Sequence, residues 1–432
     1  MKKSIWENTI EISKHKKLNR EIKTDVLVVG GGLCGILCAY FLKKSGIDCV
    51  LVEGKTIASG ITKNTTAKIT SQHGLIYSKL LQKKGVSDAQ LYFAAHQSAI
   101  ASYEKLCENL DCDFKKCRSY VYSRNDRSKI ENEINALNQI GFNAIFTEEI
   151  ELPFKIEGAL GFENQAQFNP LKFISEISRG LDIYENTFVY ELLPQRAITN
   201  SFPIKYDKAI VTTHFPFINK HGAYFLKLYQ ERSYVSAFKN AEILNDVYID
   251  ESKDGFSFRS YGDTLLIGGN SHRTGKNSLA WKPLDDFAKK YYPHSELKHH
   301  WATQDCMSLD GIAYIGQYSK HTPNLYVATG FNKWGMTSSI LSATILLDII
   351  NGKKNEFAEL FSPQRNIFTA QLGKNILETT CNLITPTKKR CPHLGCALKW
   401  NKNEHTWDCP CHGSRFENSG KLIDNPSTDD LK

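Results

Sequence analysis

Near the carboxyl end of this 432-residue chain, CPHLGC (391–396) and WDCPCHGSRF (407–416) hold four of its twelve cysteines and two of its thirteen histidines. Cys391 and His393 are spaced C-x-H, Cys409 and His412 are spaced C-x-x-H, and fifteen residues separate the two pairs. Two thiolates and two imidazoles satisfy a tetrahedral Zn²⁺ ion. They equally suit a two-iron cluster in which both thiolates bind one iron and both imidazoles the other. Neutral imidazoles in place of charged thiolates lower the net negative charge of such a cluster, so its reduction potential rises.

A second chemical signal lies at the other end. DVLVVGGGLCGILCAYFLKKSGIDCVLVEG reads as strand, glycine turn, helix and strand. The apolar run Asp25 to Val29 suits a strand buried on both faces. Gly30, Gly32 and Gly35 then form GxGxxG. The first permits a tight turn, the second lets backbone amides approach a pyrophosphate, and the third lets helix and strand come close. Glu53 ends the next strand, 18 positions after Gly35, where it can accept hydrogen bonds from a ribose. This unit binds an ADP moiety and does not by itself choose between a nicotinamide and a flavin dinucleotide.

Further segments carry a resemblance that makes the choice. ASGITKNTTAKITSQHG (58–74), AIVTTHFPF (209–217), TLLIGGNSHRTG (264–275) and SLDGIAYIGQYSKHTPNLYVATGFNKWGMTSS (308–339) resemble the FAD-dependent D-amino-acid oxidase and glycine oxidase superfamily. The resemblance implies FAD held by Gly30, Gly32, Gly35, Glu53, Thr65, Thr66, Gly330, Trp334, Gly335 and Met336. Some relatives bond FAD covalently through a histidine where this chain has Lys63 and Asn64, so non-covalent flavin is expected. His73 is expected to be packed and hydrogen-bonded rather than a catalytic base. A substrate carboxylate calls for a guanidinium fork. Arg232 and Arg259 are the candidates, near Phe168, Tyr229 and Tyr234, with Lys333 as a fixed cation beside the flavin.

The tail, in turn, resembles Rieske [2Fe-2S] proteins. That resemblance implies Cys391, His393, Cys409 and His412 as ligands and a disulfide between Cys396 and Cys411. Ser414 is placed to donate a hydrogen bond to cluster sulfur, while Phe416 stands where high-potential relatives have tyrosine. An intermediate potential within the Rieske range of about −150 to +300 mV follows.

These signals need elements to position them, and the rest of the chain supplies them. The expected fold is α/β: a Rossmann-like FAD-binding domain with an inserted mixed-sheet substrate domain, plus a small, shortened all-β Rieske domain. The oxidoreductase unit is expected over 1–362, with FAD-binding parts near 20–85, 195–220 and 300–352. The substrate cap falls near 150–195 and 221–300, a linker over 363–390, and the cluster subdomain over 391–432. Residues 85 to 150 read as helical scaffold, with Ile130, Ile134, Leu137 and Ile140 on one face and a Ser128/Glu131 capping box.

Hydrophobic residues at 41% and charged residues at 23% are ordinary for a globular protein. No apolar run is long enough to span a bilayer, so stable membrane insertion is not expected. The opening residues lack the apolar core of a secretory signal, and the remaining cysteines fit no disulfide framework, so a cytoplasmic location is expected. The net charge of +8 comes from dispersed lysines, which argues against nucleic acid. The expected activity is oxidation of a small amine or amino-acid-like C–N substrate at the flavin, with single electrons passing through the cluster to an external carrier. The alternatives are the reverse electron flow, or a metal site, zinc or iron-sulfur, that merely clasps domains or subunits.

Overall fold

The structure is a computed structural model and describes residues 3–276 and 278–431. Its first sheet has eight strands. A parallel core runs Leu325–Thr329, Ile204–Val211, Ile22–Val29, Cys49–Val52, Ile183–Tyr184, with Tyr314–Gln317 antiparallel at one edge. Val26 to Val29 and all of Cys49–Val52 are buried, as strands covered on both faces must be. The helices Leu33–Lys44 and Gly335–Ile350 pack on each other and cover one face of this sheet. The second helix is buried along most of its length, which its apolar sequence dictates.

The second sheet has nine strands and forms the roof over the first unit. Its long antiparallel centre is Leu228–Lys239 between Glu296–Ser308 and Thr264–Arg273. A third, four-stranded antiparallel meander, Lys399–Asn401, Thr406–Asp408, Arg415–Glu417 and Leu422–Asp424, forms the small tail domain. Its own core is little more than the four patterned cysteines with Leu398 and Phe416. So small an apolar centre must lean on the larger unit.

Four expectations are corrected. The strand Lys115–Ser123 lies inside the stretch read as helical. It pairs with Gly158–Gln167 and Val247–Asp250, and its alternating aromatic residues make it roof rather than scaffold. Residues 183–195, read as cap, belong to the nucleotide sheet, because Ile183 and Tyr184 continue its parallel register beside Leu51 and Val52. The helix Arg127–Gln139 starts two residues earlier than the Ser128/Glu131 capping box required. Asp126 is its N-cap, and the Ser128 hydroxyl donates to the Asp126 carboxylate. Its apolar face is as expected, and the buried Glu133 beside it accepts from Tyr77 and Ser78 amides at the start of Tyr77–Cys107. The supposed linker contains a 15-residue helix, Ala370–Ile384.

Candidate functional site

The glycine turn has the geometry its sequence implies. Gly30 takes φ 113°, and a Cβ there would come 2.8 Å from the Thr212 carbonyl. A Cβ on Gly35 would meet the Gly30 carbonyl at 1.9 Å, so only glycine lets the helix Leu33–Lys44 approach the strand. Glu53 sits at the end of the second strand and accepts from the Gly31 amide at 2.7 Å and the Lys55 amide at 2.8 Å. Gly30, Gly32, Glu53, Thr65, Thr66, Gly330, Trp334, Gly335 and Met336 all line one cavity of about 1690 Å³. Gly35 lies behind it, in the helix. The cavity exceeds the roughly 300–1,000 Å³ of a pocket for one small ligand, so a dinucleotide and a substrate can share it.

At the second flavin segment, Gly330, Asn332 and Lys333 all adopt positive φ, which turns the chain sharply from strand into the helix Gly335–Ile350. The positive end of that helix faces the cavity where Gly335 and Met336 line it. Beside it His73 is buried, stacked on Trp334 at 4.7 Å and bonded to the Tyr92 hydroxyl and the Thr70 carbonyl. Burial pushes its pKa down to about 3, so it stays neutral and acts as packing.

Arg232 lines the cavity but is engaged by a carboxylate, and Arg259 lies behind the wall. Arg232 turns one edge of its guanidinium to Glu404 of the tail domain, with Nε donating to Oε1 at 2.8 Å and Nη2 to Oε2 closing the fork. Arg259 is buried and donates Nη1 to the Thr66 and Ala67 carbonyls, bracing the flavin-side segment. Lys333 lines the cavity but its ammonium is held by Glu231 at 3.0 Å and Ser271 at 2.9 Å. Phe168 is buried in the main core rather than in the cavity wall.

Sequence reasoning missed Lys68. Its ammonium lies at the cavity wall within 3.0 Å of the Ser257 hydroxyl and 3.2 Å of the Thr66 hydroxyl, and among the described residues no carboxylate pairs with it. Loss of hydration lowers its pKa to about 7, with Arg259 adding to the shift. Lys68 had looked like one more dispersed lysine. The only available signal was its place in the small-residue segment after the acidic strand.

The cysteines and histidines of the two tail loops lie close together. Cys391 contacts Cys409, and the sulfurs of Cys396, Cys409 and Cys411 lie within 4.8 Å of one another. The rings of His393 and His412 are 4.9 Å apart. Among the described residues, Nδ1 of His393 and both ring nitrogens of His412 are buried without a hydrogen-bond partner, an expensive arrangement for a protein that binds nothing there. Burial, with His412 beside it, pushes the His393 imidazole down to about 3, leaving it the neutral donor a metal needs. The donor set therefore fits the cluster. Cys396 and Cys411 are close but remain free thiols, so the expected disulfide is absent from the structure. The Ser414 hydroxyl reaches Cys391, and Phe416 is fully buried.

The imidazole side of the tail domain is pressed onto the larger unit. His393 Nε2 is 2.9 Å from Asn219 Oδ1, and the Phe215 ring lies 6.3 Å from His393 and 6.2 Å from His412. Gln230 donates to the His412 carbonyl at 2.8 Å, Gln304 donates to the Gly413 carbonyl at 2.9 Å, and Arg273 donates to the Pro410 and Cys411 carbonyls. Gly413 takes φ 85°, and any Cβ there would strike Gln230 at 2.6 Å. Gln304, Glu404, Arg415 and Asn425 all line the main cavity, so the tail domain forms part of its wall.

Comparison with known proteins agrees with this arrangement. The FAD dependent oxidoreductase family matches residues 25–349, and the Rieske [2Fe-2S] domain family matches 373–432. The chain belongs to the FAD-dependent oxidoreductase family and carries a carboxyl-terminal Rieske domain; its cofactors are FAD and a [2Fe-2S] cluster. It is 31% identical over 492 residues to the putative Rieske 2Fe-2S iron-sulfur protein YhfW of Bacillus subtilis (strain 168), covering 99% of this chain and 96% of that one. Over 37 residues, 9% of this chain, it is 49% identical to the cytochrome b6-f complex iron-sulfur subunit of Trichodesmium erythraeum (strain IMS101), covering 21% of that subunit. In fold it resembles glycine oxidase from Geobacillus kaustophilus, with TM-score 0.69 and 18% identity over 80% of this chain and all of that one. L-proline dehydrogenase from P. horikoshii gives TM-score 0.68 and 16% identity, covering 81% of this chain and 98% of that one. Among the described residues no helix is long and apolar enough to cross a membrane.

Proposed function

We propose that this oxidoreductase oxidises a small amine or amino-acid-like C–N substrate and delivers the two electrons, one at a time, through the Rieske cluster to an external carrier. The observation that supports this most is the shared wall. Gln304 lines the flavin cavity and donates directly to the cluster loop at Gly413. When bound, FAD supplies an acceptor for an electron pair and the cluster supplies a one-electron acceptor. The glycine turn, Glu53 and the Thr65–Thr66 segment hold the dinucleotide, while Cys391, His393, Cys409 and His412 hold the two irons.

Lys68 is the substrate anchor in this reading. Its ammonium has hydroxyl partners and, among the described residues, no carboxylate, so a substrate carboxylate would complete its shell. Arg259 holds the backbone on which Lys68 rides, and Arg232 and Lys333 keep the wall charged but internally neutralised. Cys396 and Cys411 are proposed to close a disulfide across the cluster loops in the oxidised protein, supported by their proximity. The many buried reduced thiols elsewhere support a cytoplasmic location.

Glycine oxidase and L-proline dehydrogenase share the fold, and a screen of small secondary amines and amino acids is the natural substrate panel. Anaerobic rapid mixing, read at flavin and cluster wavelengths, tests the route. Loss of flavin colour followed by bleaching of the cluster is expected. A cluster that stays oxidised while stoichiometric peroxide forms in air would leave the metal site as a clasp.

A further inference from the structure

The helix Ala370–Ile384 is inside out. Its polar side chains Asn375, Glu378 and Asn382 face the protein. Asn375 accepts from Arg273 and donates to the Leu226 carbonyl, and Glu378 pairs with Lys276 at 2.7 Å. Its apolar side chains face outward: Leu377 is 65% exposed, Ile384 74%, Ile376 46% and Leu383 43%. Positions 376, 377, 383 and 384 fall on one side of a 3.6-residue repeat, opposite the buried asparagines. Just before the helix Phe368 is 85% exposed, and beyond it Leu394, in the first cluster loop, is 38% exposed. Leu383 reaches within 3.9 Å of where a Cβ on Gly395 would stand, so the apolar stripe runs on to that loop.

Charge along the same stretch has one sign. Between 370 and 402 there are six basic residues, Lys374, Lys388, Lys389, Arg390, Lys399 and Lys402, all exposed. The sole acid is Glu378, already paired with Lys276.

From this pattern we propose that the helix Ala370–Ile384, with Phe368 and Leu394, is a docking face for an anionic lipid bilayer, lying in the interface plane without crossing it. An amphipathic helix with outward apolar side chains and a basic surround binds by shallow burial plus attraction to anionic headgroups. A second copy of the chain fits less well. A 15-residue helix is ~22 Å long and its outward stripe offers on the order of 250 Å², about a third of the roughly 800 Å² per partner of a stable interface. Two such faces would also set like charges against each other. Joined to the proposed reaction, on which the docking itself does not depend, the face would bring the first cluster loop to carriers dissolved in the lipid.

Flotation of the holoprotein with vesicles of phosphatidylglycerol and phosphatidylcholine tests this, with pure phosphatidylcholine as comparison. Binding is expected to the anionic vesicles, to weaken steeply with salt, and to fall by roughly tenfold or more in Lys388→Glu/Lys389→Glu. Leu377→Glu/Ile384→Glu should abolish it. Both variants change exposed side chains, so flavin absorbance and thermal unfolding should match the parent. Absence of vesicle binding at low salt would overturn the proposal. So would equal binding by all variants, or a dimer in sedimentation velocity that Leu377→Glu/Ile384→Glu converts to monomer.

Discussion

Arg232 and Glu404 meet across the seam between the oxidoreductase unit and the tail domain, both nearly inaccessible to water. Glu404 also takes Arg415 at 2.9 Å, and the Tyr234 hydroxyl lies 3.3 Å from it. A carboxylate shared by two guanidiniums is bound far more firmly than an exposed ion pair, because removing it strands two buried cations.

The first prediction follows from that pair. Burial by itself would raise the Glu404 carboxyl, but Arg232 and Arg415 hold it down at about 2. A depressed carboxyl contributes stability that is complete above its unfolded value near 4.5 and is lost as pH falls from there toward 2. Acid should therefore loosen the tail domain early, seen as cluster bleaching before flavin release. Glu404→Ala should destabilise the seam at neutral pH by about 3–5 kcal/mol, checked by calorimetry.

The paired amides Gln230 and Gln304 carry the second. Gln304 donates to Gln230 at 2.7 Å, and each reaches a carbonyl of the cluster loop. Gln230→Leu and Gln304→Leu should leave substrate-driven flavin reduction unchanged while slowing cluster reduction, as stopped-flow absorbance would show. Equal cluster rates in all forms would show that these amides only fasten the seam.

A third concerns Lys68. With a pKa of about 7, the anchor is protonated below that pH and neutral above it. For a carboxylate substrate, kcat/KM should fall as pH rises through 7. Lys68→Ala should raise KM by roughly 10- to 100-fold, the ~1.5–3 kcal/mol of a charged hydrogen bond, with a smaller change in kcat. Steady-state kinetics across pH would check both.

Ser414 provides the fourth. Its hydroxyl reaches Cys391 and accepts from the Ser427 amide at 2.9 Å. Hydrogen bonds to cluster sulfur raise the potential, so Ser414→Ala should lower the midpoint measured by redox titration. His412→Ala should lose iron and acid-labile sulfide while retaining FAD.

What the sequence disclosed depended on how local the signal was. Gly30, Gly35 and Glu53 stand within one turn and its flanking strands, and Cys391, His393, Cys409 and His412 lie within a single short span, so spacing alone pointed to both candidate sites. Lys115–Ser123 escaped because a strand joined only to distant partners has no neighbouring strand in sequence to announce it. The carboxylate partner of Arg232 escaped for a related reason. Arg232 has a suitable type in a suitable strand, but its partner Glu404 is 172 positions away on another domain. Lys68 went unnoticed because desolvation, which singles it out, is a property of the folded neighbourhood alone.

The tail domain completes the cavity wall through Glu404, Arg415 and Asn425. It is therefore not a detachable redox accessory. A chain stopped before position 391 would have an open-sided cavity and an unpaired Arg232, and grafting a foreign cluster module would not restore the missing side. Descent should preserve the two halves as matched sets, with changes along Gln230, Arg232 and Arg273 answered by changes in the loops they hold.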